Sequence, residues 1–173
     1  MRKITVPSEF FSAKDTLECG QIFRYIPYNE AYLVFSADKA CLIKTAGDKT
    51  EITTDDSAYF ENYFDLTREL DKVYLKARSF GNEFLSVAAE CGKGVRLLRQ
   101  NTFETLFSFI ISQNNNIPRI KRIIESLCDE LGEKREFDGT EYRAFPSLDA
   151  LLKKDEAFYK SKGLGYRAEY ITS

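Results

Sequence analysis

The stretch Gln21–Thr54, QIFRYIPYNEAYLVFSADKACLIKTAGDKTEITT, decides the fold class. Within it Gln21–Tyr28, Tyr32–Ser36, Cys41–Thr45 and Lys49–Thr54 are short runs rich in Ile, Val, Thr, Phe and Tyr, residues that suit a pleated, half-buried surface. Asn29-Glu30, Ala37–Lys39 and Gly47-Asp48 separate them. These breaks have hairpin length and carry turn residues, so the stretch predicts a small antiparallel sheet. Downstream, residues 55–91 become charged and take helical spacing, as in Tyr59, Tyr63, Leu66 and Leu70. Phe103, Leu106, Phe107, Ile110 and Ile111 then repeat at i, i+3, i+4, i+7, i+8, the stripe of a core-facing helix. A second stripe, Ile117, Ile120, Ile123, Ile124, Leu127 and Leu131, opens at Asn115-Asn116 with Pro118 in its first turn and closes at Gly132. The polar run Ser112–Asn116 forms a tight hinge between the two. Phe145-Pro146-Ser147 opens a third helix reaching Lys154, with Ser147 as its cap. Sheet first and helices second predicts an α+β fold.

Composition sets the outer limits. The chain has 173 residues, 43% apolar and 30% charged, and its 14 Phe and 10 Tyr supply ample core. Disorder is excluded as the default, and a chain of this length buries about 70% of its extended surface without staples. With 25 basic against 27 acidic residues the net charge is −2, which excludes a globally basic nucleic-acid binder. Any nucleic-acid surface is therefore a local patch. There is no His, so no imidazole serves as base, switch or metal ligand. Cys19, Cys41, Cys91 and Cys128 form no C-x-x-C pair and read as four buried thiols in a reducing compartment. Neither metal nor other cofactor is expected. The N-terminus reaches Pro7 without an apolar core, and no long apolar run follows, so the expectation is a soluble, intracellular protein (cytoplasmic, at the nucleoid, in a prokaryote) with no membrane partner.

Charge is unevenly spread. Residues 51–70 hold six acidic side chains against Arg68 alone, which reads as a solvated face turned from any polyanion. Residues 92–124 hold Lys93, Arg96, Arg99, Arg119, Lys121 and Arg122 against Glu104 alone, with aromatics interleaved. That run is either a solvated helix face or a surface for the phosphate backbone.

Four segments, in order, carry a resemblance: Cys19-Gly20-Gln21-Ile22-Phe23-Arg24-Tyr25, then Gly94–Gln100 (GVRLLRQ), Leu106–Ile120 (LFSFIISQNNNIPRI) and Gly163–Tyr170 (GLGYRAEY). Together they resemble the 8-oxoguanine DNA glycosylases of the helix-hairpin-helix superfamily, from about residue 10 to the end. The resemblance implies base excision of 8-oxoguanine opposite cytosine from double-stranded DNA, with the damaged base flipped into a pocket. It also implies a TBP-like sheet domain over residues 1–91, followed over 92–173 by the beginning of an all-α glycosylase domain.

The resemblance further implies residue roles, each physically sensible. The Gly20 carbonyl would read the lesion: 8-oxoguanine carries a hydrogen on N7 where guanine presents a lone pair. Accepting that hydrogen is worth about 1 kcal/mol net, whereas burying two facing acceptors costs about 1–3 kcal/mol, so discrimination works by penalty. Asn114 would fill the gap left by the extruded base, Arg119 and Arg167 would donate to the acceptors of the estranged cytosine, and Tyr166 would wedge beside the gap. Apart from the resemblance, Asn115 and Asn116 shape the turn and present backbone amides to the DNA backbone, and the basic run makes Lys93 and Lys121 candidates, either or both, for phosphate contact.

The family's chemistry needs a Lys nucleophile and an Asp partner, carried past a hairpin of the L-P-G-[VI]-G type. No such hairpin occurs in the 173 residues, and no Lys present occupies the matching position. The expectation is thus the N-terminal part of a bifunctional glycosylase/lyase, with no catalytic residue in this chain, inactive by itself, and partnered by a C-terminal half of the same protein. An alkylpurine glycosylase of the same superfamily and a non-catalytic damaged-DNA-binding module are the competing readings. The first lacks reason to carry Asn114, Arg119 and Arg167 together.

Overall fold

The computed structural model describes residues 1–173 and is mixed α+β. Five antiparallel strands, β1 (Arg2–Pro7), β2 (Tyr25–Tyr28), β3 (Ala31–Ser36), β4 (Lys39–Ala46) and β5 (Lys49–Thr54), lie in the order β1-β5-β4-β3-β2. Helix α1 (Ala13–Glu18) precedes β2, and α2 (Ser57–Tyr63), α3 (Leu70–Ser79) and α4 (Glu83–Cys91) follow the sheet. Then come α5 (Thr102–Ser112), α6 (Ile117–Leu131), a hairpin of β6 (Lys134–Phe137) and β7 (Thr140–Arg143), and three short helices, α7 (Leu148–Leu152), α8 (Glu156–Ser161) and α9 (Arg167–Thr172).

The chain divides into two compact units. The first takes in Met1–Gln21, Ile26–Leu33 and Cys41–Arg99, the second Ile22–Tyr25, Val34–Ala40 and Gln100–Ser173. In the first, Phe11, Phe60, Tyr63 and Phe64 make an aromatic cluster, with Phe11 and Phe64 rings 5.0 Å apart, over buried Leu17, Ile43 and Ile52. In the second, the two predicted stripes meet in part: Phe107 and Ile111 of α5 are buried with Ile120, Ile123, Ile124 and Leu127 of α6, and Phe145, Tyr159, Leu164 and Ala168 close the cluster, whereas Leu106 and Ile117 of the same stripes are exposed. Tyr159, wholly buried, satisfies its hydroxyl by donating to the Leu151 carbonyl at 2.6 Å.

The structure redraws several elements. Gln21–Arg24 are not strand; β2 begins at Tyr25. The edge strand β1 was not foreseen, because it pairs with residues some fifty positions away (Arg2 opposite Thr54, Pro7 opposite Lys49). The β6–β7 hairpin interrupts the helical half. Its turn, Asp138-Gly139, has φ of 49° and 71°, the two left-handed residues of a tight hairpin, and so was readable. Gly132 does end α6, but not by a left-handed turn. A Cβ there would sit 2.1 Å from the Ala144 carbonyl oxygen, so glycine is required by close approach of backbone.

Not all titratable residues sit where the charge pattern suggested. Cys41 and Cys128 are buried, and burial pushes both thiols up, Cys128 to about 11, whereas Cys19 and Cys91 are exposed. Within the acidic run, Asp65 is 3% exposed and pairs with Arg68 and with Arg99, the latter at 2.7 Å. Within the basic run, Arg96 is 3% exposed, so it belongs to the interior and not to a solvated or phosphate-facing surface.

Candidate nucleic-acid interface

The hinge between α5 and α6 uses its three asparagines differently. Asn115 donates from Nδ2 to the Ile111 carbonyl at 3.0 Å and accepts at Oδ1 from the Asn116 amide at 3.0 Å. Asn116 caps α6, its Oδ1 accepting from the Arg119 amide at 3.0 Å. Their side chains thus hold the turn together, as Asx residues do at helix starts. Asn114 takes φ +47°, a left-handed conformation that asparagine tolerates, and its exposed amide has no part in these bonds.

A second turn, Gly163–Tyr166, is fastened to that hinge by two arginines. Arg119 is exposed and its Nη2 donates to the Gly163 carbonyl at 3.0 Å. Arg167, only 4% exposed, donates from Nε to the Gln113 carbonyl at 2.7 Å, from Nη2 to the Asn114 carbonyl at 2.8 Å and from Nη1 to the Leu164 carbonyl at 3.1 Å. Its guanidinium carbon lies 4.6 Å from the centre of the Tyr166 ring, which is 49% exposed. Asn114, Arg119, Tyr166 and Arg167, spread over more than fifty residues of sequence, are therefore brought together. Asn114, Arg119 and Tyr166 present polar donors and an aromatic face to solvent. Arg167 spends its donors on backbone oxygens, and reaches an external acceptor only by exchanging those carbonyls for it.

Gly20 lies in the first unit, exposed just beyond α1, with φ +90° and nothing within 4 Å of where a Cβ would stand. Of the lysines, Lys93 pairs with Glu9 at 3.3 Å, and the half-buried Lys121 places its ammonium 3.5 Å from the centre of the Tyr25 ring. Both carry charge at the surface while held by a neighbour.

The second unit also holds a polar centre that the sequence reading missed. Arg24 donates to the Ala37 carbonyl and to Glu104 Oε1, each at 3.4 Å, and to the Arg143 carbonyl at 2.5 Å, with its guanidinium 5.6 Å from the Phe35 ring centre and 5.9 Å from that of Phe145. Glu104 Oε2 accepts from the Ala37 amide at 2.6 Å. Burial raises the Glu104 carboxyl above its ordinary value, against the downward pull of Arg24 and the Ala37 amide. Arg24 in the first matched segment and Glu104 in the α5 start were the only signal, and eighty residues separate them.

The family described as the 8-oxoguanine DNA glycosylase N-terminal domain matches residues 3–106. The N-glycosylase/DNA lyase of Saccharomyces cerevisiae is 46% identical over 81 residues, which are 46% of this chain and 22% of the yeast protein. The 8-oxoguanine glycosylase/lyase of Clostridium acetobutylicum, in its apo form, superposes with a TM-score of 0.88 at 32% identity, covering 99% of this chain and 62% of its own. The same enzyme bound to double-stranded DNA with cytosine opposite 8-oxoguanine gives 0.84 at 33% identity, over 95% of this chain and 58% of its own. A 3-methyladenine DNA-glycosylase from Archaeoglobus fulgidus, 15% identical with a TM-score of 0.70 over 99% of this chain and 65% of its own, shares the fold alone. The chain thus spans less than two thirds of each relative. No helix is long and apolar enough to cross a membrane.

Proposed function

The chain belongs to the 8-oxoguanine DNA glycosylase N-terminal domain family, and we propose that it supplies the lesion- and opposite-strand-recognition part of an intracellular base-excision enzyme that removes 8-oxoguanine opposite cytosine. The observation that carries this reading is the fastening of the Gln113–Asn116 hinge to the Gly163–Tyr166 turn through Arg119 and Arg167, which gathers the exposed Asn114, Arg119 and Tyr166 around the buried Arg167. Cytosine left without its guanine exposes acceptors at O2 and N3, and arginine offers only donors. Asn114 offers both a donor and an acceptor, suiting the mixed cytosine edge, and Tyr166 offers a face for stacking beside the gap. Gly20 presents its carbonyl to the N7–H of the lesion. Lys93, Lys121 and the amides of Asn115 and Asn116 meet phosphate. In this reading residues 1–91 form the sheet domain and residues 92–173 the first part of the helical domain. The Lys nucleophile and its Asp partner lie outside these 173 residues, in a further part of the same protein. The solved relatives, each longer than this chain, support that division.

Binding to duplexes with 8-oxoguanine opposite cytosine or opposite adenine tests the reading. The chain is expected to prefer cytosine, and Arg119→Ala to shrink the preference more than it weakens overall binding. Equal affinity for the two duplexes removes the opposite-strand role. Borohydride trapping on the cytosine duplex is expected to give no adduct; a covalent adduct would place an amine nucleophile inside residues 1–173. An alkylpurine glycosylase has only the shared fold in its favour.

A further inference from the structure

We propose that Gln21 is the positioning residue that sets the direction of the Gly20 carbonyl, and that the GVRLLRQ segment, Gly94–Gln100, is the platform to which it is clamped. The inference rests on the reading of Gly20 given above. The carbonyl of Gly20 lies in the same rigid peptide plane as the nitrogen and Cα of Gln21, so whatever fixes Gln21 aims that oxygen. Gly20 cannot fix itself: it is exposed, has no side chain and has open space where a Cβ would stand. Gln21 is held on both ends of its amide. Its Nε2 donates to the Arg96 carbonyl at 2.9 Å and the Thr16 carbonyl at 3.3 Å, while its Oε1 accepts from the Leu98 amide at 3.0 Å. It therefore pairs with Arg96 and Leu98 as a neighbouring strand would, using donor and acceptor together, which a carboxamide does and a carboxylate cannot.

The platform is itself immobilised. The Arg96 guanidinium donates to the carbonyls of Phe10 at 2.7 Å, Asp65 at 2.7 Å and Arg68 at 3.1 Å, and the Arg96 amide donates to the buried Thr16 hydroxyl at 3.1 Å. The Ser12 amide donates to the Gly94 carbonyl at 2.8 Å, and the Arg99 amide to the Tyr63 carbonyl at 2.8 Å. Two arginines of a segment that reads as a phosphate surface are thus engaged within the first unit: the buried Arg96 on three carbonyls, the exposed Arg99 on Asp65. Their work is to hold a strip of backbone still for Gln21. A penalty that depends on two acceptors facing each other needs that stillness, because a carbonyl free to tilt relieves the clash and loses the discrimination.

The test uses the 173-residue chain with Gln21→Glu, which keeps shape but turns an oxygen toward the Arg96 and Thr16 carbonyls, and Gln21→Met, which removes both hydrogen-bonding ends without adding charge. Gly20→Ala serves as comparator. Amide hydrogen exchange is read at Leu98, and affinity is read for 8-oxoguanine·cytosine against guanine·cytosine duplexes. Both Gln21 variants are expected to speed Leu98 exchange about tenfold or more and to cut the lesion-to-guanine affinity ratio by about tenfold, with the lesion duplex changing more than the undamaged one. Leu98 exchange unchanged in both variants overturns the clamp. Faster exchange with an unchanged affinity ratio, while Gly20→Ala lowers that ratio, overturns the positioning role and leaves the Gly20 reading intact. An affinity ratio of one in the unaltered chain, unmoved by Gly20→Ala, removes the reading of Gly20 and the positioning role with it.

Discussion

Arg96 and Arg167 are both interior arginines gripping three backbone carbonyls, yet they sit in different electrostatic settings. Arg96 bonds the backbone carbonyl of Asp65, whose buried carboxylate pairs with Arg68 and Arg99 and is close enough to act on Arg96 electrostatically. Burial pulls its pKa down and Asp65 pushes it back up. Arg167 holds only neutral oxygens and one aromatic face, without a carboxylate partner. A buried cation with a matched anion is locked, since separating them strands a charge. A cation held by neutral dipoles gives up less when it leaves for another acceptor, least of all when that acceptor is an anion. The same residue type in the same kind of cage stands beside a buried carboxylate in the first unit and among neutral oxygens alone in the second.

That contrast breaks most visibly under substitution. Arg96→Met is expected to cost about 3–5 kcal/mol of stability, because it leaves three carbonyls without their donor and takes away one of the three cations, with Arg68 and Arg99, that surround the buried Asp65. Arg167→Met should cost about 1–3 kcal/mol, the loss of charged hydrogen bonds to neutral partners. Urea unfolding of both variants checks this, and equal losses would end the distinction. On DNA the two should separate by what they select. Arg167→Ala is expected to lower the preference for cytosine over adenine opposite the lesion by about fivefold to a hundredfold, whereas Arg96→Met should act on lesion against guanine. Competition binding with the 8-oxoguanine·cytosine, 8-oxoguanine·adenine and guanine·cytosine duplexes shows whether the effects exchange places.

A smaller effect concerns Glu104, the carboxylate of the second unit's own buried pair. Its folded pKa is raised above the ordinary 4.5, so the folded state keeps the proton more firmly than the unfolded chain does. Its favourable contribution is complete below about 4.5 and is lost as pH climbs toward the raised value. Glu104→Gln, which keeps an acceptor for the Ala37 amide, should flatten that part of the stability–pH curve, as urea melts between pH 4 and 7 would reveal. Smallest of all, a thiol-reactive dye on the native chain should label Cys19 and Cys91 quickly, while Cys41 and Cys128 wait for unfolding. Four slow thiols would contradict the exposure of the first two.

The helices of the second unit were legible because their signals are local. The α5 and α6 periods, the Asn116 cap and the Ser147 cap of α7 all act within a few residues and stand where the spacing put them, although Leu106 and Ile117 of the stripes face out. The sheet was legible only in part. Strands β3 to β5 announce themselves through turns between neighbours, but β1 depends on pairing with β5, and nothing near residues 2–7 reports that partner. Asn114, Arg119, Tyr166 and Arg167 could be singled out by likeness to a family motif. Their convergence, and the carbonyls that occupy Arg167, could not.

By itself, then, the sequence determined the secondary elements with short-range periods and caps, the α+β order and the family, since each is written in residue types at fixed local spacing. Tertiary structure alone decided which charges are interior. Arg96 and Asp65 look like surface residues in a linear count, and whether a guanidinium faces solvent, a carboxylate or a ring of carbonyls depends on segments thirty to ninety residues away. Desolvation and pairing are properties of three-dimensional neighbourhoods, and they divide one basic run into a held platform and an exposed surface.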